Sequence, residues 1–390
     1  ASLGMMNVYN SLALLLTPSP VMIAKAERTY IAWGKEKFGV VGAITPCTNP
    51  VVTPMCNAMF AIKGRNTVIL SPHPRAKKLT AQLVAMFNEA IKPLGAPENV
   101  IQFIDPPSVE ASAELMKQVD VVVATGGMAM VRSAYSSGKP AYGVGVGNVQ
   151  CIVDRGMDIS VAVPKILEGR AFDNGIICSG EQTIIAPKEE YDAIMAEAQK
   201  NGAVYVTDPA QKQALRDTIF PGGVMNKDLV GVSAIKVAEA AGIKVPADTR
   251  VILIEADGYG KADILSKEKM CPVISTYRYD AFEEAVEIAQ ANLEVDGRGH
   301  SVSIHSDNDE HLEYAGNRLE VARVLVNQIC STMNGGSFQN GLAPTTTLGC
   351  CSWGNNSISE NFDYKHLINY IRIAKFLKDK PTPTDEELWG

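Results

Sequence analysis

From Phe38 onward a single unit recurs along the chain: a short apolar or β-branched run, a polar turn, then apolar residues at helical spacing. This alternation constrains the fold more than any other feature. Strands separated by helix-length crossovers pair in parallel and need helices on their faces. The first series predicts strands over 38–44, 67–70, 100–103, 120–124 and 140–144, with helices over 53–63, 76–92, 109–117 and 128–136. After the glycine-rich stretch 143–148 a second series predicts strands over 151–153, 182–186, 250–255, 272–277, 301–305 and 323–326. Its helices are expected over 158–170, 189–201, 280–292 and 309–319, with loop over 335–361 and a last helix over 364–376. The expectation is an α/β chain with one lobe over 1–150 and a second over 151–348. Residues 349–390 form a closing segment that returns to the first lobe or to an oligomer interface.

Composition narrows the partners. The formal charge of -7 is spread without blocks of like sign, which argues against a nucleic-acid surface or an anionic membrane and for small molecules. The apolar run Leu12 to Leu16 is far below the roughly 20 residues of a bilayer span. Eight cysteines form no pair of CxxC elements, so no metal site is expected. They read as free thiols of a reducing, cytoplasmic compartment. The chain opens at Ala1 without an initiator methionine.

The segment Phe172-Asp-Asn-Gly-Ile-Ile-Cys178-Ser-Gly-Glu-Gln182 carries the most chemistry. It puts a cysteine just after an Asn-Gly turn, where the thiol can be partly exposed while the backbone N–H remains free. Such a cysteine suits nucleophilic attack on a carbonyl, its own N–H helping to hold the oxyanion. An arbitrary cysteine would sooner be a core residue.

The wider sequence decides between these readings. The segment around Cys178 resembles the nucleophile motif of the CoA-acylating branch of the aldehyde dehydrogenase superfamily. Further matches follow in the family's order: Thr45-Pro-Cys-Thr-Asn-Pro50, Ser71-Pro-His-Pro-Arg75, Ala124-Thr-Gly-Gly127, Lys267-Glu-Lys-Met-Cys-Pro272, Gly299-His300 and Leu348-Gly-Cys-Cys-Ser-Trp-Gly354. The resemblance implies a nucleotide-binding domain with a parallel sheet plus a second α/β catalytic domain. It implies NAD or NADP as cofactor, coenzyme A as co-substrate, and a homodimer or homotetramer. The implied substrate is succinate semialdehyde, with sulfoacetaldehyde or acetaldehyde as alternatives.

The same resemblance distributes roles. Cys178 is the nucleophile, Asn49 the second oxyanion donor, and His300 a mover of protons during thiol addition or CoA attack. Thr45 and Pro46 are placed at the cofactor, Ser71 and His73 on its adenosine ribose side, Thr125, Gly126 and Gly127 at its pyrophosphate, and Glu268 at its nicotinamide ribose. Arg170 is a candidate to hold an anionic substrate tail through a bidentate pair.

On local sequence alone several of these have plainer readings: Asn49-Pro50 as a turn, Thr125-Gly-Gly127 as a helix start, Glu268 as part of a surface charge cluster. One departure matters chemically. Aldehyde dehydrogenases that release a free acid carry a glutamate base in the segment matched by Gly145-Val-Gly-Asn-Val-Gln150, and this chain has none there. Without a base to activate water, a thioester on Cys178 would last until another thiol arrives. A hydrolytic aldehyde dehydrogenase and a catalytically silent nucleotide-binding assembly protein are the rival readings.

Overall fold

Two antiparallel strands, β1 (Ile23–Lys25) and β2 (Thr29–Lys37), precede the α/β series in the computed structural model, which describes residues 23–25, 29–37, 39–376, 378 and 383–389. The first series runs β3 (Val40–Thr45), α1 (Val52–Lys63), β4 (Thr67–Pro72), α2 (Lys77–Ile91), β5 (Ile101–Phe103), α3 (Val109–Gln118), β6 (Val121–Thr125), α4 (Met128–Tyr135) and β7 (Ala141–Val144). Its strands form one parallel sheet in the order β5-β4-β3-β6-β7.

The second series begins with β8 (Gln150–Val153), α5 (Ile159–Ala171), β9 (Thr183–Pro187), α6 (Tyr191–Lys200), β10 (Ala203–Val206), α7 (Pro209–Ile219) and α8 (Ala234–Ala240). It continues through β11 (Val251–Glu255), β12 (Val273–Tyr279), α9 (Phe282–Val295), β13 (Gly299–His305), α10 (Asp309–Arg318), β14 (Val321–Val326) and the short α11 (Cys330–Met333). Seven parallel strands result, ordered β10-β11-β12-β9-β8-β13-β14. The chain ends with β15 (Ile368–Ala374) and α12 (Asp385–Trp389).

Sequence explains most of this locally. Central strands such as β6 (Val-Val-Val-Ala-Thr) are apolar on both faces because helices cover both sides of the sheet. Side-chain caps start the helices where polar residues end the loops: Ser108 accepts from Ala111 N, Asp158 from Ser160 N, and Asp208 from Gln211 N just before Pro209.

Two differences from expectation stand out. The helix expected over 364–376 is a short turn, Tyr364–Leu367, followed by strand β15, which pairs antiparallel with β2. Ile368, Ile371 and Ile373 favour an extended backbone, and a partner more than 300 residues away in sequence supplies the ladder. The sequence reading also passed over β10, α7 and α8, which fill one end of the second sheet and pack as a cluster around Leu215, Ile219, Val237 and Ile252. Phe38, with which the first strand was expected to begin, lies outside the described residues. Before β15, Phe362 and Leu367 are buried in the core of the five-stranded sheet beside Phe60.

Candidate active site

Three chain segments converge where the two parallel sheets meet. From the end of β3, residues 46–49 turn into α1, whose first turn is tied back by Thr53 N donating to Asn49 O at 3.3 Å. From the end of β6, Thr125-Gly126-Gly127 opens α4; Gly127 is extended and no side chain caps the helix. From α5 the chain passes through Asp173, Asn174 and Gly175, all in the left-handed region, with φ of 46°, 52° and 69°. Asn and Gly tolerate that conformation best, and Asn174 further anchors the turn by donating to Gly231 O at 3.1 Å. Cys178 is the third residue beyond it.

These segments line one cleft, part of it open to solvent. Cys178 and Asn49 both face it, together with Pro46, Thr125, Thr53 and Ser331. The expected nucleophile and oxyanion donor are therefore brought together. Among its described lining residues none is charged and none is a histidine.

Behind the nucleophile runs the glycine strap 145–147. A Cβ on Gly147 would come within 2.0 Å of the Cys178 carbonyl oxygen, so only glycine lets the strap lie against the cysteine. Gly147 N donates to a Glu268 carboxylate oxygen at 3.3 Å, placing Glu268 beside the nucleophile. Desolvation holds the Glu268 carboxyl up at about 8, with Asp296 adding to the effect. Cys178 is half-buried, yet enough protein surrounds it for desolvation to push its thiol up to about 12; Glu268 and Cys350 raise it further while Arg323 pulls it down.

The structure does not bring every expected residue to this cleft. Arg170 is fully buried, and its guanidinium donates to the backbone carbonyls of Lys269 and Cys271, so it braces the 269–271 loop instead of facing a substrate. His300 is fully buried on β13 with neither ring nitrogen partnered among the described residues. Burial, aided by Arg323, holds its pKa down at about 3. The Ser71 hydroxyl is buried and hydrogen-bonded to Ser112 at 2.8 Å, which turns it from a ribose contact into a packing contact. His73 is exposed at the end of β4, where it accepts from Arg75 N. The Thr45 hydroxyl is buried without a partner among the described residues. No cluster of metal-binding side chains occurs among the described residues, and no helix there is long and apolar enough to cross a membrane.

The sequence reading missed the hydroxyl wall of the cleft: Thr53, Ser179, Ser331, Thr332, Thr345 and Thr346. The run Thr345-Thr-Thr347, directly before the Leu348-Gly-Cys350 motif, was the available signal. It also missed Glu181 and Arg323. Glu181 accepts from Cys330 N at 2.6 Å, and Arg323 donates to His300 O, Gly349 O, Ser301 and Asn361.

A family profile described as "Aldehyde dehydrogenase family" matches residues 3–341. The chain belongs to the aldehyde dehydrogenase family. A succinate-semialdehyde dehydrogenase (acetylating) from Clostridium kluyveri is 56% identical over 93% of this chain and 80% of its own length. An acetylating aldehyde dehydrogenase from Geobacillus thermoglucosidasius superposes with a TM-score of 0.91 at 35% identity, covering 98% of this chain and 84% of that one. A propionaldehyde dehydrogenase from Rhodopseudomonas palustris, solved with bound propionyl-CoA, gives 0.82 at 28% identity over 96% of this chain and 84% of that one. Within the aldehyde dehydrogenase family the chain is an acylating oxidoreductase, as its motifs imply.

Proposed function

We propose that this aldehyde dehydrogenase converts succinate semialdehyde to succinyl-CoA, with reduction of NAD or NADP, through a thioester on Cys178. One observation carries the reading: Cys178 shares its cleft with the Asn49 amide, and the 145–147 strap against it carries no glutamate base. The Cys178 sulfur forms a bond to the aldehyde carbon, and its proton is released. The Asn49 amide and the Cys178 N–H hold the resulting oxyanion, an arrangement whose loss typically costs about 100- to 1000-fold in rate. When bound, the oxidised nicotinamide would supply the hydride acceptor. Loss of hydride from the carbon leaves the thioester, and the thiol of coenzyme A displaces Cys178 to give acyl-CoA and the free thiol. Overall, aldehyde, oxidised cofactor and coenzyme A give acyl-CoA, reduced cofactor and one proton.

The residues present suit the cofactor. The uncapped start of α4 after Gly126-Gly127 leaves backbone N–H groups for a pyrophosphate, and a Cβ on Gly127 would meet nothing within 4 Å. The Thr125 hydroxyl beside it is buried and unpartnered among the described residues. In this reading Glu268 accepts from the nicotinamide ribose, which its contact with Gly147 N behind Cys178 supports, and His73 serves the adenosine side. The lobes divide near residue 150, between β7 and β8, with 349–390 as the returning segment. Assembly as a homodimer or homotetramer is supported by Ile371 and Ile373, which β15 leaves exposed.

The deciding measurement is product analysis with and without coenzyme A. Succinyl-CoA should form only with the thiol present, while rapid release of succinate in its absence would overturn the reading in favour of hydrolysis.

A further inference from the structure

The cleft in front of Cys178 holds more hydroxyls than acyl transfer needs. Thr53, in the first turn of α1, is 1% exposed, and Ser331 on α11 is 3% exposed. Neither hydroxyl has a partner among the described residues, nor does that of Thr346, and all three residues line the cleft. Their neighbours behave differently. Ser179 donates to Ser331 O at 3.1 Å, and the Thr345 hydroxyl accepts from Thr347 N at 3.0 Å. Four hydroxyls unpartnered among the described residues therefore line this one cavity, Thr125 at its cofactor end being the fourth, while those of Thr45, Ser266, Tyr277 and Ser303 lie outside it. A buried hydroxyl without a hydrogen bond is destabilising, so such a set points to a ligand that completes it.

The ligand's character follows from what surrounds them. Hydroxyls can all donate to one oxygen-rich group, and the twelve-residue helix α1 directs its uncapped, partly positive end to the same place. No lining residue is acidic. The group best held there is a carboxylate, bound by neutral donors. Arg170, the one cation the sequence offered for that task, is committed to backbone carbonyls elsewhere.

We propose that Thr53, Ser331 and Thr346 are specificity-determining residues that bind the distal carboxylate of a short aldehyde whose carbonyl lies at Cys178. The proposal rests on the thioester reading above and adds the groups that choose the substrate. Loop closure keeps the wall in place: Thr345 N donates to Gly335 O at 2.8 Å, and a Cβ on Gly336 would come within 2.6 Å of the Leu342 and Ala343 carbonyl oxygens.

The test is steady-state kinetics of Thr53→Val, Ser331→Ala and Thr346→Val with succinate semialdehyde and with uncharged butyraldehyde, each with coenzyme A and the oxidised cofactor. Each variant should raise KM for succinate semialdehyde about 10- to 100-fold, the scale of a lost hydrogen bond to a charged group. The ratio of kcat/KM for the two aldehydes should shift by the same factor. Thr53→Ser and Thr346→Ser, which keep the hydroxyl, should restore the ratio. Equal losses for both aldehydes, or a ratio unchanged within about threefold, would overturn the proposal. Should the two buried variants fold poorly, the partly exposed Thr346 and the serine variants decide alone. Wild-type enzyme that makes acyl-CoA from butyraldehyde but not from succinate semialdehyde would sink the carboxylate site and leave the thioester reading intact; acyl-CoA from neither would sink both.

Discussion

In front of Cys178 the cleft wall is built from neutral groups, Asn49, Thr53, Ser331 and Thr346, whereas behind it lie Arg170, Glu181 and Lys269, each with no exposed surface. The rear groups bond mainly to backbone. Arg170 takes two carbonyls, Glu181 takes Cys330 N, and the Lys269 ammonium donates to Leu265 O at 2.7 Å and Lys267 O at 3.1 Å. Gly169 makes room for this layer, since a Cβ there would lie 2.0 Å from a Glu181 oxygen. The contrast separates two uses of polarity. Rear charges hold the 265–271 and 330–333 segments in place, and those segments deliver Glu268 and Ser331 to the site. Front groups are left open for a ligand.

Three experiments would break or sharpen this division. Cys178→Ala should lower turnover by roughly a millionfold, as loss of a nucleophile does, while leaving the urea unfolding midpoint nearly unchanged. A large loss of stability would mean that the front also supports the fold. Arg170→Leu should do the reverse. Removing one member of a buried charge group costs about 3–5 kcal/mol, which urea unfolding reads directly, and KM for succinate semialdehyde should change little. A KM increase confined to anionic aldehydes would return Arg170 to the substrate tail.

The smallest effect is in pH dependence. Desolvation holds the Glu181 carboxyl up at about 8, against an ordinary value of 4.5. Its neutral form therefore contributes stability in full below about 4.5, and the contribution is lost as pH rises through about 8. Lys269 acts in the opposite sense: held down at about 7 from 10.5, it contributes fully above 10.5 and loses that contribution as pH falls through about 7. Glu181→Gln should flatten the fall in Tm between about pH 4.5 and 8 by about 2–4 °C. An unaltered Tm-against-pH curve would show that Glu181 does not titrate in that range.

Legibility followed the range of the interactions. Parallel strands such as β6 and β11 were readable because burial on both faces leaves an unbroken apolar run. The turn before Cys178 was readable because Asp-Asn-Gly suits left-handed backbone. The 364–376 segment was misread because its conformation depends on β2, far away in sequence. Arg170, His300 and Ser71 lie outside the cleft lining for a related reason. A motif identifies a residue type at a position, but burial and partners decide whether its polar atoms face the cleft.

The sequence by itself determined the two α/β series, the cysteine nucleophile after its tight turn, and the lack of a glutamate base in the 145–150 strap, since each is written in local residue pattern. Only the tertiary structure decided which polar groups remain free. Arg170 Nη2, Glu181 Oε1 and the Ser71 hydroxyl are bonded to neighbours remote in sequence, while the hydroxyls of Thr53, Ser331 and Thr346, drawn from three distant segments, have no partner among the described residues. A hydrogen bond depends on distance and direction in space, and neither is encoded at the position of the residue that makes it.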